Sequence, residues 1–137
     1  MSRRRGHPGG VHFDSLLAII SGMVEGLHET LGPGSEVLLH NLREPQHSVI
    51  AIAGSLTGRT IGAPATDLLL RLLRAGDTDT NPINYATQAP DGRQLRSSTL
   101  FIRDLDGNTI GALCINIDVS QAAEVNEWLA ACVSSPG

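Results

Sequence analysis

The dipeptide Asp106-Gly107 lies between two runs of strand-forming residues, Leu95–Asp104 and Thr109–Asp118, and this arrangement constrains the chain more than any other feature. Asp-Gly flanked by such runs is a strong short-range signal for a two-residue β-hairpin turn. A turn there pairs Ile102 with Gly111, Leu100 with Leu113, Thr99 with Cys114 and Ser97 with Asn116. Side chains alternate across a strand, so one face carries Leu100, Ile102, Leu113, Ile115 and Ile117, a purely apolar set that reads as core. The other face carries Ser97, Thr99, Phe101, Ala112, Cys114 and Asn116. It is small and mildly polar, which suits either a ligand-lining wall or a wet outer face. A one-residue slip would exchange the two faces.

Upstream of this hairpin, Phe13, Leu16, Leu17, Ile20, Met23, Val24, Leu27 and Leu31 follow the 3.6-residue spacing of an amphipathic helix. Asp14 can cap it and Gly32-Pro33-Gly34 stops it, which gives a helix over 14–31. Two short strands follow, Glu36–Leu42 and Ser48–Ala53, with a turn signal at Arg43–Gln46. The segment Gly54–Pro64 reads as a loop. A second helix starts near Pro64 with its body over Asp67–Arg74, carrying acid near its start and base near its end, and Gly76 closes it. Ile83–Gln88 is a short strand, and a last helix runs over Ser120–Cys132 with Ala122, Val125, Leu129 and Cys132 on one stripe. The order α, β, β, α, β, β, β, α calls for hairpins rather than crossovers. It predicts an α+β fold with a mostly antiparallel sheet and helices over one face.

Charge narrows the function classes. All ten basic residues are arginines, and three of them, Arg3, Arg4 and Arg5, stand in a start that reads as a disordered tail over residues 1–12. Without those three, seven arginines face fourteen carboxylates, a net of −7. A domain that grips nucleic acid by itself needs a basic patch on its folded part, and this balance does not supply one. No apolar run approaches the roughly 18 residues of a membrane span. Residues 1–10 hold no apolar stretch of the kind a secretory signal requires, so a cytoplasmic setting is expected.

The motifs of common chemistries are weak. Gly54-Ser-Leu-Thr-Gly58-Arg-Thr60 has three residues between its glycines where a phosphate loop has four, and Arg59 where that loop has lysine. It reads as a flexible connection. There is no G-x-S-x-G, Ser97 and Ser98 sit in mid-strand, and nothing places Cys114 beside His40 as a nucleophile–base pair. Cys114 and Cys132 form no metal-ligand spacing with the five histidines, so no metal and no cofactor are expected. Aromatics at 3% argue against a stacking platform for bases or a flavin. The polar residues that interrupt apolar strands are the candidate ligand contacts: His40, Asn41, Ser97, Thr99, Cys114 and Asn116, with Tyr85 and Arg96 as outliers. For His40 the competing role is a half-buried imidazole bonded to a neighbour. For Asn116 and Asp118 it is closure of the strand, with Asp118 or Ser120 capping the last helix.

Several strings resemble a known family. They are Leu31-Gly-Pro-Gly-Ser-Glu-Val-Leu-Leu-His40-Asn-Leu, Ser48-Val-Ile-Ala-Ile-Ala53, Gly58-Arg-Thr-Ile-Gly62, Asp91-Gly-Arg-Gln-Leu-Arg-Ser-Ser-Thr-Leu-Phe-Ile-Arg-Asp104 and Ile110-Gly-Ala-Leu-Cys-Ile-Asn-Ile-Asp118. Together they look like successive blocks of the YheO-like PAS domain of bacterial, DauR-like helix-turn-helix transcriptional regulators, across about residues 14–132. Asn41 departs from the pattern, which has Asp after the histidine. The resemblance implies a PAS-like sheet of five mostly antiparallel strands flanked by helices. It also implies a ligand-sensing domain over residues 13–133, a linker beginning at 134–137, and DNA contact through a C-terminal domain outside this chain.

The resulting expectation is a non-enzymatic, ligand-sensing and dimer-forming domain of a bacterial transcriptional regulator. It takes a small polar metabolite, an amino-acid-like one among the candidates, and relays binding to the helix-turn-helix. The terminal helices, with Trp128 off the main apolar stripe, are the candidate homodimer contact. The alternative is a ligand-free protein-interaction module.

Overall fold

The computed structural model describes residues 8–134, with side chains from residue 14 onward. The elements in chain order are α1 (Pro8–Leu31), β1 (Ser35–Asn41), β2 (Val49–Ala53), α2 (Asp67–Arg74), β3 (Tyr85–Gln88), β4 (Gln94–Arg103), β5 (Thr109–Asp118) and α3 (Ser120–Val133). Of the tail expected over residues 1–12, residues 1–7 lie outside the described residues, as does the linker beyond 134, whereas residues 8–12 belong to helix α1 and not to a tail. Helix α1 begins at Pro8, six residues before Asp14, because proline's fixed φ and missing N–H suit a first helical turn.

The strands form one antiparallel sheet in the order β2-β1-β5-β4-β3. The first strand and the last lie side by side, paired from Ser35 with Ile117 to Asn41 with Gly111. The β4–β5 ribbon has the register expected from its turn: Ile102 opposite Gly111, Leu100 opposite Leu113, Thr99 opposite Cys114 and Ser97 opposite Asn116. The turn itself differs. Asp104 N–H donates to the Asn108 carbonyl at 2.9 Å, and Arg103 pairs with Thr109, which makes a three-residue loop closed by Gly107 at φ +85°. The Asp104 carboxylate favours this loop by accepting from the N–H groups of Asp106 at 3.0 Å and Asn108 at 2.8 Å. The extra residue, Ile110, is taken up as an irregularity beyond the loop, so the body of the ribbon keeps its faces. The Ile110 carbonyl accepts from Leu42 N–H at 3.0 Å.

Helices cover both faces of the sheet, not one. Leu17 and Val24 of α1 pack on Val37, Leu39, Ala53 and Ile110. Leu69 of α2 packs on the opposite face against Leu42, Phe101 and Ala112. The physical reason is that the second face is only mildly polar. Phe101 and Ala112 need covering as much as Val37 and Leu39 do. The face expected as pure core is partly exposed instead. Leu100, Ile102, Leu113, Ile115 and Ile117 are half-buried, and α1 covers only part of them.

Helix α2 begins at Asp67, three residues after Pro64, because Thr66 caps it and accepts from Leu69 N–H at 3.1 Å. Helix α3 follows β5 directly. Asp118 accepts from Ser120 N–H at 2.9 Å, and the Ser120 hydroxyl accepts from Gln94 N–H at 3.0 Å. No residue of α3 is buried, and Val125, Trp128, Leu129 and Val133 are exposed. No helix among the described residues is long and apolar enough to cross a membrane.

Candidate functional site

Even-numbered positions of β1 face away from α1. Glu36, Leu38 and His40 therefore share a face with Ser97 and Thr99 of β4 and with Ala112, Cys114 and Asn116 of β5. A cavity of about 610 Å³ opens over this face. The sheet forms its floor, β3 and Pro90 one side, and the segment from Thr57 to Leu68 the other. The mildly polar face of the hairpin is thus the wall of a cavity, and the wet outer face is the reading that falls away.

Of the residues singled out in the sequence, His40, Tyr85, Ser97, Thr99, Cys114 and Asn116 line this cavity together. Asn41 and Arg96 do not. Asn41 closes the turn after β1, where its Oδ1 accepts from Arg43 N–H at 3.0 Å and its Nδ2 donates to Glu44 at 3.4 Å. Arg96 is exposed, and it alternates with the buried Leu95 and Ser97. Both positions fall on the wrong side of the two-residue period.

The sequence reading missed Glu36, Thr57, Arg59 and Thr87. Glu36 is fully buried. Its carboxylate accepts from Thr57 N–H at 2.8 Å, from the Thr57 hydroxyl at 2.8 Å and from Asn116 Nδ2 at 3.1 Å. A carboxylate only accepts, so these bonds fix every donor around it. Asn116 must turn its amide nitrogen to Glu36 and its oxygen to Ser97, whose hydroxyl donates at 2.7 Å. The Ser97 oxygen then accepts from the Thr87 hydroxyl, also at 2.7 Å. One oriented chain, Thr87 to Ser97 to Asn116 to Glu36, runs across β3, β4, β5 and β1. The period-2 step from His40 back to Glu36 was the available signal for it.

The loop expected as a flexible connection is held by this carboxylate. Thr57, Gly58, Arg59 and Thr60 line the cavity. Arg59 Nη1 donates to the Pro64 carbonyl at 2.7 Å, which straps the loop across its own end. A second strap lies outside. Arg93 donates to the Leu56 carbonyl at 3.0 Å and to Asp91 at 2.8 Å, and stands 3.8 Å from Asp118 at the foot of α3.

Burial keeps His40 and Cys114 uncharged. Burial, aided by the Arg59 charge, pushes His40 down to about 4, so its imidazole is uncharged near neutral pH. Its Nδ1 meets the buried Ser48 hydroxyl at 2.7 Å, and the ring also lines the cavity. His40 is thus fully buried and not half-buried, bonded to Ser48 and at the same time part of the cavity lining. Burial pushes the Cys114 thiol up to about 11, against smaller opposing effects of the Thr99 hydroxyl and Arg59. That thiol is a weak partner of Thr99 at 3.7 Å and not an activated nucleophile. Tyr85 reaches Thr99 with its hydroxyl at 2.8 Å. Among the described residues no group of three or more His, Cys, Asp and Glu could hold a metal ion.

Similarity to known proteins agrees with this fold. The structure resembles an RNA-binding light-oxygen-voltage receptor at a TM-score of 0.51 and 13% identity, over 96% of this chain and 41% of that one, a likeness of fold alone. The chain is 38% identical to the uncharacterised protein YheO of Escherichia coli over 107 residues, 76% of this chain and 45% of that protein. It is 39% identical to an uncharacterised protein of Haemophilus influenzae over 98 residues, 71% of this chain and 44% of that protein. It is 32% identical to the transcriptional regulator DauR of Pseudomonas aeruginosa over 108 residues, 78% of this chain and 49% of that protein. The chain spans somewhat less than half the length of these relatives. The family model matches residues 12–134, so with these relatives beside it the chain belongs to the YheO-like PAS domain family.

Proposed function

We propose that this domain is the small-molecule-sensing and self-association part of a bacterial transcription regulator. The observation that carries the reading is the cavity of about 610 Å³ with an oriented polar wall, built into a domain related to the regulator DauR. Its size is that of ordinary small-ligand pockets. A polar metabolite occupies the cavity and favours one packing of the loop and of the terminal helices. That population shift passes to a helix-turn-helix outside the described segment. The acidic balance of the folded part supports placing DNA contact elsewhere. Self-association through α1 and α3 is supported by the exposure of Ile19, Met23, Val125, Trp128 and Leu129.

The ligand-free interaction module is the second reading, and the open, hydroxyl-lined cavity weighs against it. The test is a thermal-shift screen of the domain against small acids, amino acids and polyamines, with native mass spectrometry for a molecule already bound. A ligand at 100 times its Kd adds about 2.7 kcal/mol, a rise of several degrees for a chain this size. No shift across the panel and no bound molecule would leave the interaction module as the better account.

A further inference from the structure

The sensing reading leaves the chemistry of the ligand open, and the charges around the cavity narrow it. Among the described lining residues Arg59 is the one with a permanent charge; the rest are hydroxyls, an amide pair, a thiol, apolar groups and His40. None of the described lining residues is a carboxylate. The acid behind its wall, Glu36, is covered by the donors of Thr57 and Asn116. A cationic ligand would therefore meet a like charge at Arg59 with no lining anion to offset it.

Arg59 is equipped for an anion. Its bond to Pro64 uses Nη1 and leaves the Nε–Nη2 edge without a hydrogen bond or ion pair among the described residues. That edge is the fork that matches the two oxygens of one carboxylate. Its field reaches deep into the site, since both His40 and Cys114 on the floor feel it. The first turn of α2 borders the same cavity through Thr66 and Leu68, which adds the positive end of a helix while Asp67 is exposed. Away from Arg59 the wall offers uncharged hydrogen-bonding groups, Tyr85, Thr87 and Asn116.

We infer that the cavity selects a small organic acid, with its carboxylate on Arg59 and an uncharged, hydroxyl- or carbonyl-bearing body over the β3–β5 wall. The inference rests on the sensing reading. The experiment uses matched probes: lactate, 2-hydroxyisocaproate and 3-phenyllactate, each beside its amide and its α-amino acid, with putrescine as a dication. Melting shifts and calorimetric Kd values are read on the unaltered chain and on Arg59→Gln and Arg59→Lys. At least one hydroxy acid binds the unaltered chain, its amide and amino acid bind at least about tenfold more weakly, and R59Q loses about tenfold or more, the scale of a charge-assisted bond. R59K keeps part of that affinity. Equal binding of a hydroxy acid to R59Q, or equal binding of its amide or amino acid, overturns the inference. So does binding of putrescine, which leaves ligand sensing standing. Silence from every probe, acids included, overturns the inference too, and sensing falls with it if native mass spectrometry finds the cavity empty.

Discussion

Asn116 donates its amide hydrogen to the Glu36 carboxylate at 3.1 Å across the β1–β5 pair, joining the two ends of the sheet's sequence at the wall of the cavity. The carboxylate is fully buried, and the donors of Thr57 and Asn116 that meet it are neutral. Buried acids are retained when every lone pair used is met by a good donor, and are costly when one is lost. Glu36 thus ties the cavity loop, through Thr57, to the strand that carries the polar wall.

Replacing Glu36 by glutamine turns one accepting oxygen into a donor facing donors. We expect Glu36→Gln to lower unfolding stability by about 1–3 kcal/mol, read by urea denaturation. Asn116→Asp, which sets a second carboxylate against the first, costs more. A glutamine variant as stable as the parent would mean that the carboxylate does not organise this loop.

His40 supplies a pH dependence of known sign. Its folded value of about 4 lies below the ordinary 6.5, so the unfolded chain binds the proton more readily. The contribution is fully present above pH 6.5 and is lost as the pH falls toward 4. Its size is on the order of 3 kcal/mol at most. Asp91, Asp104 and Asp118, held below the usual carboxylate range by their hydrogen bonds, act at lower pH. The expected result is a fall in unfolding stability between pH 7 and 5 that His40→Gln flattens, with a His40 ring signal that does not titrate above pH 5. Titration of that ring near 6.5 would contradict the burial assigned to it.

Gly54 lets the loop leave β2 and lie against the start of β1. Its φ is +92°, and a Cβ there would run into the Ser35 carbonyl oxygen and come within 2.9 Å of Glu36 Cα. Both are backbone atoms, so no rotamer change relieves the contact. Gly54→Ala is expected to cost on the order of 2 kcal/mol or more and to loosen Thr57 from Glu36. Hydrogen exchange at Thr57 N–H reports it, and protection unchanged from the parent would refute the packing argument.

The hairpin register was legible because it is local: the Asp-Gly turn and the alternation of Ser97, Thr99, Cys114 and Asn116 suffice, and the bulge at Ile110 absorbs the error in loop length. The cavity itself was legible only in part. Which face it opens on depends on where α2 lands, and Leu69 carries that information only through contacts with Leu42, Phe101 and Ala112. Arg59 and Glu36 were missed for the same reason. Thr57 meets Glu36 from 21 positions away, and nothing in the local spacing of either residue signals the other. Asn41 and Arg96 were drawn in as polar interruptions, although strand parity sends them elsewhere.

Trp128 is 65% exposed, so packing against its own sheet does not account for it. With Ile19 at 61% and Met23 at 55%, exposed apolar area extends over α1 and α3. We expect the domain to sediment as a dimer at tens of micromolar. Trp128→Ala weakens that dimer by about tenfold or more, the scale of a buried aromatic anchor. A monomer at that concentration would leave these side chains without the role assigned to them.

Arg93 offers the most direct test of how the cavity reaches α3. One guanidinium touches the Leu56 carbonyl, one residue before Thr57, and stands 3.8 Å from Asp118, whose carboxylate accepts from the first N–H of α3. The side chain is 37% exposed and the Asp118 side chain 25%, so solvent screens the pair and its share of global stability is small. Arg93→Gln is therefore expected to move the unfolding midpoint little, by less than about 1 kcal/mol. Its effect is local instead. The Thr57 and Ser120 N–H groups, on opposite sides of the clip, should exchange faster together, while strand amides such as Leu113 keep the parent's protection. A variant in which only one of the two sites loosens would show that Arg93 packs against each without linking them.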